Sequence, residues 1–458
     1  MEQQVTSKDK IKFIIMSLIG VFLFMVPLPN ANGDFNIPLG HLLAALGRAL
    51  NSVEVNDFGL IYLLACIIIS FSFLSSCLAY ILKPGFITEN EKLRNLFLSS
   101  PVYMISKAVG FVICWLVFFG IGPDWLIGWG GGRLMMNLIS SNTGLVAIFL
   151  VVGIAIPLLT DFGLMEFLGI LIRKGVRVLF TLPGRSSVDL LGSWFSSSAA
   201  SVMITRDQHE KGYYTDREAS AICVNFTLVS LPFTFVVASA IGMEAHFFLF
   251  YIIITITAIL LAVIMPRIWP LCRLKDEYLP EIGKQLDEEV PENAPVIKWA
   301  VNLAGSRASK TGPRDVLNTG ASNWLNIFMD LIPVILAWGT IALIIESSTP
   351  VFDWLSWPFG WYLQLLRVDG AFAYAPATIV GFIDMYLPAI LLGTDAPFET
   401  RFILGALSIV QIIYLAETGI LILKSKMSLN IGHLAVIFLM RTIFALPVIV
   451  LLTRVIVM

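Results

Sequence analysis

Long apolar runs separated by short polar breaks are the first pattern in this chain. A helix that crosses a bilayer needs roughly 20 mostly apolar residues. Stretches of that kind lie at 12–28, 57–81, 101–121, 142–160, 215–242, 245–266, 323–345, 397–423 and 431–456. Further segments at 38–52, 162–182, 184–206, 350–366 and 374–395 are apolar but broken or amphipathic. The one long polar stretch runs from Arg267 to about Ala321 and contains KDEYLPEIGKQLDEEVPENAP. It reads as a linker between halves, with an amphipathic piece near Val296–Ala308. The pattern predicts an all-α polytopic membrane protein with about nine transmembrane helices and two re-entrant hairpins at 184–206 and 374–395.

The N-terminus needs a separate reading. Lys8, Lys10 and Lys12 precede an apolar run from Phe13 to Val26, the layout of a signal peptide. Pro27, Pro29 and Asn30 follow with no small-x-small cleavage site, so the run reads as an uncleaved first helix. Composition agrees with the membrane class. Of 458 residues, 57% are hydrophobic and 14% charged, against about 25% charged in a soluble domain. Mean hydropathy is +0.84. A net charge of −2 gives no general attraction to a nucleic acid polymer. The five cysteines are scattered without a CxxC pair, so neither a disulfide framework nor a zinc site is expected.

Basic residues mark cytoplasmic loops. They gather at the N-terminus, at Lys83, Lys92 and Arg94, through 161–217, along the linker, and at Lys424 and Lys426. Outside these, the connections hold Arg48, Arg133 and Arg367. All the basic loops fall on the cytoplasmic side, with the N-terminus, if 184–206 enters and leaves on that side and 374–395 is a hairpin entered from outside. Asp161 and Glu166 then sit on a basic amphipathic helix, where they are expected to face headgroups.

The two halves share an order of parts: a span, an amphipathic helix, a broken hairpin, then two spans. GSWFSSSAASVMIT from Gly192 to Thr205 matches GFIDMYLPAILLGT from Gly381 to Thr394 in length and end residues. TDREASAICVNFTLVSLPFT from Thr215 aligns with ETRFILGALSIVQIIYLAET from Glu399, pairing Arg217 with Arg401 and Thr234 with Thr418. Hairpins entered from opposite sides make an inverted repeat, an architecture of secondary transporters. The expected segments are an N-terminal three-helix region at 1–141, a first repeat at 142–266 with its hairpin and broken span at 184–242, the cytoplasmic linker at 267–321, and a second, inverted repeat at 322–458.

Irregular backbone at membrane depth is tolerated only where protein or water covers it, so the breaks mark the candidate site. The first hairpin breaks at Ser196, Ser197 and Ser198, whose hydroxyls can bind a solute; small residues also serve tight helix packing. The 215–242 span breaks around Pro232, flanked by Asn225, Thr227 and Ser230. Proline removes a backbone donor and clashes with the carbonyl four residues back, which leaves an ordinary kink or a ligand. Gln411, Tyr414, Glu417 and Thr418 form the counterpart in 397–423. Asp384 lies beside Pro388 in the second hairpin. Acids inside a membrane usually mark an ion or proton path, which makes Asp384 and Glu417 the candidates for ion coupling. The other readings put Asp384 at the hairpin's aqueous mouth and Glu417 near the inner surface. Ser196, Ser197, Ser198, Asn225, Thr227, Ser230, Gln411, Tyr414 and Thr418 are the candidates for substrate binding. No metal-ligand set, nucleophile–base pair or cofactor motif appears, so the chain is not expected to be an enzyme.

The block LPGRSSVDLLGSWFSSSAASVMITRDQHEKGYYTDREASAICVNFTLVSLPFTFVV, from about 182 to 237, resembles the Gate, or nucleoside-recognition, domain. The layout of the whole chain is similar to the YjiH-like membrane proteins that carry it, and more distantly to concentrative nucleoside transporters. The Gln-Thr-Glu-Ala-Pro string of those carriers' first hairpin is absent here; Ser196–Ser198 stands in that neighbourhood. The resemblance implies an ion-coupled secondary transporter of a small polar organic solute in the bacterial inner membrane, nucleoside-like by family name only. Half-helix N-termini can hold anionic groups, so a carboxylate solute or a small peptide is equally compatible. Na⁺ or H⁺ would drive it, with no other cofactor. The expected partners are the lipid bilayer and the solute, with homo-oligomerisation left open. The rival reading is a non-transporting membrane sensor or assembly component of the same family.

Overall fold

The computed structural model describes residues 5–26, 58–88, 101–122, 160–184, 198–229, 231–279, 295–326 and 349–457, with short pieces between them. Helix α1 (Ser7–Met25) opens with a reciprocal cap, in which the Thr6 hydroxyl accepts from Asp9 N and the Asp9 carboxylate accepts from Thr6 N. Then come α2 (Leu60–Leu82), α3 (Pro101–Phe118), α4 (Leu164–Phe180) and α5 (Ser198–Glu210). α6 (Asp216–Asn225), α7 (Leu231–Ala240) and α8 (Phe247–Ile264) follow. The polar stretch contributes α9 (Val296–Lys310) and leads into α10 (Pro313–Asn326). The last third holds α11 (Val351–Leu365), the short α12 (Ala377–Val380) and α13 (Leu387–Leu392), then α14 (Phe398–Val410). A π-helical turn at Leu415–Gly419 runs into Ile420–Leu423 as α15, and α16 (Ile431–Ile456) closes the order. Two antiparallel pairs of two-residue strands, Leu28–Pro29 with Phe35–Asn36 and Glu54–Val55 with Phe58–Gly59, are the extended elements among the described residues.

This is a helical membrane protein. Among the described residues, three helices are long and apolar enough to cross a membrane: Leu63–Leu82, Glu244–Arg273 and Ile431–Ile456. On α11, Trp354, Trp357 and Trp361 are exposed at helical spacing, the side chains that favour a membrane–water boundary. The expected spans 215–242 and 397–423 are each broken in two, as α6 with α7 and α14 with α15. Most of 142–160 and part of 323–345 lie outside the described residues.

The chain forms two compact units, one of residues 1–37, 155–316 and 358–458, the other of 38–154 and 317–357. In the second unit α2 packs on α3. Trp115 donates to Ser70 Oγ at 2.7 Å and buried Lys107 donates to Ser76 Oγ at 3.2 Å. Gly110 lies so close to Pro333 that a Cβ there would come within 2.7 Å of the Pro333 carbonyl oxygen. Cys66 and Cys114, both buried thiols, bring their sulfurs to 2.6 Å. The scatter of cysteines along the chain hides this pairing, because it arises from the packing of two helices.

In the first unit the polar stretch is not wholly a free linker. Helix α9 packs against both α1 and α4. Its Ala300, Ala304 and Ala308 repeat every fourth residue, which puts one small-residue face against its neighbours. Ala304 and Ala308 bury with Phe13 and Phe162. Gly163 has φ +99°, and a Cβ on it would meet the Ala304 carbonyl oxygen at 2.4 Å, so this close approach needs glycine. Thr311 Oγ1 donates to the Asp161 carbonyl at 2.8 Å. Glu166 pairs with Arg307 at 3.6 Å, which corrects the expectation that Glu166 faces headgroups. Burial raises its carboxyl above the usual carboxylate range, and Arg307 only partly opposes this.

Candidate functional site

Arg441 lies well inside α16, an apolar helix of 26 residues, and none of its surface is exposed. A buried cation must be met by hydrogen-bond acceptors or it is prohibitively costly. Arg441 donates from Nε and Nη2 to the Val410 carbonyl at 2.9 and 2.6 Å. From Nη1 it donates to the Val224 carbonyl at 3.2 Å and to Asn225 Oδ1 at 2.8 Å. Val224 and Asn225 end α6, and Val410 ends α14. The last carbonyls of a helix have no partner within it. Here one guanidinium closes two such ends.

Local side chains cover the neighbouring carbonyls. Asn225 Nδ2 donates to the Ala221 carbonyl at 2.9 Å and Thr227 Oγ1 to that of Cys223 at 2.6 Å. At the other end, the Tyr414 hydroxyl lies 2.9 and 3.0 Å from the carbonyls of Ser408 and Ile409. The first break follows from the sequence. Pro232 supplies no amide hydrogen and disfavours helix at the residue before it, and Thr227–Val229 are non-helical. Past Val410, Ile412 has φ +65°, a costly conformation for a β-branched residue. The chain then runs extended to Tyr414, and Leu415 N donates to the Phe382 carbonyl at 2.8 Å.

Four bonds, at three places along the chain, fix the direction of the half-helices along α16. Near the start of α6, Asp216 Oδ1 accepts from Ser428 N at 2.9 Å, just ahead of α16, and α6 ends at Arg441. Near the start of α14, Glu399 pairs with Arg454 at 2.7 Å, in the last turn of α16, and α14 also ends at Arg441. The two half-helices therefore run toward each other and meet tail to tail at Arg441.

The remaining pieces pack reciprocally. α5 lies against α15, and α13 against α7, with Phe233 and Tyr386 edge to face at 6.1 Å. Between α12 and α13, buried Asp384 accepts from Tyr386 N at 2.8 Å, finishing the turn with its own carboxylate. Gln411 Nε2 donates to the Thr378 carbonyl and to Thr442 Oγ1, both at 2.8 Å. Its Oε1 is buried without a hydrogen-bond partner among the described residues.

The structure brings Asn225, Thr227, Gln411, Tyr414 and Thr418 to the two breaks, all buried. Their described hydrogen bonds complete the broken backbone and the Arg441 network; Thr418 Oγ1, for example, accepts from Tyr414 N at 3.1 Å. Ser198 is buried at the start of α5. Ser196, Ser197, Ser230 and the side chain of Glu417 lie outside the described residues. Arg441 escaped the sequence reading although the signal was there: FLMRTIFALP places a charge deep in an apolar run, and intramembrane charges are functional candidates by default.

The model of the Gate family, described as nucleoside recognition, matches residues 143–244. That match includes the 182–237 block and spans α4 to α7. The uncharacterized protein BpOF4_10220 of Alkalihalophilus pseudofirmus is 40% identical over 457 residues, covering 99% of this chain and 96% of that one. The chain belongs to the family of that protein. It is a Gate-domain membrane protein. Among solved structures, CNTnw in an inward-facing substrate-bound state aligns over 96% of this chain and 98% of its own, at 13% identity and a TM-score of 0.43. The Alcanivorax borkumensis YdaH transporter aligns over 98% and 97%, at 11% identity and a TM-score of 0.25.

Proposed function

We propose that this Gate-domain protein is an ion-coupled secondary transporter of a small polar organic solute, with a nucleoside as the first class to test. The observation that carries the reading is the tail-to-tail meeting of two broken helices at a buried charge inside an apolar helix. Broken helices with exposed ends at membrane depth are how inverted-repeat carriers build a site near the bilayer midplane. The opposed directions of α6 and α14, and the reciprocal packing of α5 with α15 and α13 with α7, support an inverted repeat with re-entrant hairpins at 184–206 and 374–395. The Gate match over 143–244 supports a nucleoside-like solute.

In this reading Ser196, Ser197, Ser198, Asn225, Thr227, Ser230, Gln411, Tyr414 and Thr418 line the solute path, and Asp384 and Glu417 handle the driving ion. The bacterial inner membrane, with the N-terminus inside, fits the distribution of basic loops. The test is flux into proteoliposomes holding the purified chain, with labelled uridine and adenosine under imposed H⁺ and Na⁺ gradients. Accumulation of either above protein-free vesicles supports the proposal. If nucleosides, amino acids, dipeptides and dicarboxylates all fail to accumulate, a non-transporting membrane role takes its place.

A further inference from the structure

We infer that Arg441 is a tethered cation occupying the place where a carrier of this plan would hold a free metal cation, so that this core needs no Na⁺ between its half-helices. The partners of its guanidinium are the Val410 carbonyl, the Val224 carbonyl and Asn225 Oδ1. All are neutral oxygens, and no carboxylate is among the hydrogen-bond acceptors described for it. Neutral carbonyl and amide oxygens at unwound helix ends are the donor set that transporters present to Na⁺.

The charge balance points the same way. Each helix C-terminus carries roughly half a negative charge. Two ends meeting tail to tail, α6 and α14, sum to about one negative charge, which one guanidinium offsets. Without a cation the two ends would repel across a water-poor gap. Arg441 supplies that cation from α16, which continues for more than a turn on either side. A cation fixed to a helix cannot be exchanged between compartments, so it stabilises the junction without being carried. On the carrier reading given above, Na⁺ is therefore excluded from this junction and coupling falls to protons at the acidic residues. That consequence rests on the carrier reading. The cation measurement below does not, because no solute is added, and the two can fail separately.

The test is thermal unfolding of the purified full chain in detergent, exchanging choline for Na⁺, Li⁺ or K⁺ at constant ionic strength. Wild type is expected to show the same Tm in Na⁺ as in choline. Arg441→Ala is expected to unfold at a lower temperature and to recover saturably with low millimolar guanidinium or with Na⁺, but not with choline. Arg441→Lys, which keeps a tethered cation, is expected to remain indifferent to Na⁺. Arg441→Gln serves if the alanine variant does not purify, and it should also become Na⁺-responsive. A saturable, Na⁺-specific rise in the wild-type Tm overturns the inference, as does a neutral variant that folds and responds to no small cation. If neither neutral variant folds, the wild-type comparison decides alone.

Discussion

Asn225 and Arg441, 216 residues apart in sequence, meet through a 2.8 Å hydrogen bond from Nη1 to Oδ1. The same amide turns its Nδ2 back to the Ala221 carbonyl. Asn225 thus ties the end of α6 to the cation that also closes α14. Replacing it with leucine removes an acceptor from a buried charge, a loss of about 1.5–3 kcal/mol for a hydrogen bond to a charged group. We expect Asn225→Leu to lower Tm clearly, and Asn225→Asp, which keeps an acceptor for Arg441, to lower it less. Equal losses in thermal unfolding would separate Asn225 from the arginine network.

The acidic residues are tested by neutral replacement. Asn at 384 keeps an oxygen for the Tyr386 N–H, so Asp384→Asn should fold. If Asp384 carries the driving proton, this variant loses gradient-driven accumulation while retaining solute exchange across the membrane. Glu417→Gln is read in the same assay. Accumulation at the wild-type level by a well-expressed variant removes that residue from coupling.

Cys66 and Cys114 are expected to close a disulfide on treatment with diamide or copper phenanthroline, because their sulfurs already touch. Each thiol gives up its hydrogen to the oxidant. A bridge between α2 and α3 should stabilise the fold by about 2–4 kcal/mol. Peptide mapping under non-reducing conditions reports the bond, and Cys66→Ala should abolish it. Recovery of both cysteines fully alkylated after oxidation would show that the contact does not persist in the membrane.

Glu166 gives a pH dependence with a definite sign. Burial raises its folded carboxyl above the ordinary 4.5, so the folded state holds the proton more tightly than the unfolded state. The stability of the α4–α9 contact is then greater below the unfolded value and falls as pH rises through the folded one. Glu166→Gln removes this penalty. Its Tm is expected to exceed that of wild type at neutral pH and to converge with it in acid. A variant less stable than wild type at neutral pH would mean that the Arg307 pair outweighs burial.

The sequence alone was enough to place this chain in a membrane and to locate both breaks. Hydropathy depends on runs of neighbouring residues, and Pro232 acts on backbone groups within one turn of itself. The acids and amides near the breaks were visible for the same reason. Their arrangement was not. Whether Asn225 faces a solute or a cation depends on α16, more than two hundred residues away, and no local propensity encodes that distance. Opposed half-helices can share one partner only when the chain has folded back on itself, and it is the three contacts at Ser428, Arg441 and Arg454 that set their directions. The docking of α9 on α1 and α4 was likewise hidden. An alanine stripe in a polar stretch carries little hydropathy, and it becomes a packing face only when Gly163 lets another backbone come close. At Pro232 local chemistry decided where a helix stops; long-range packing decided what both helix ends meet, because an unpaired carbonyl away from water must find its donor wherever the fold brings one.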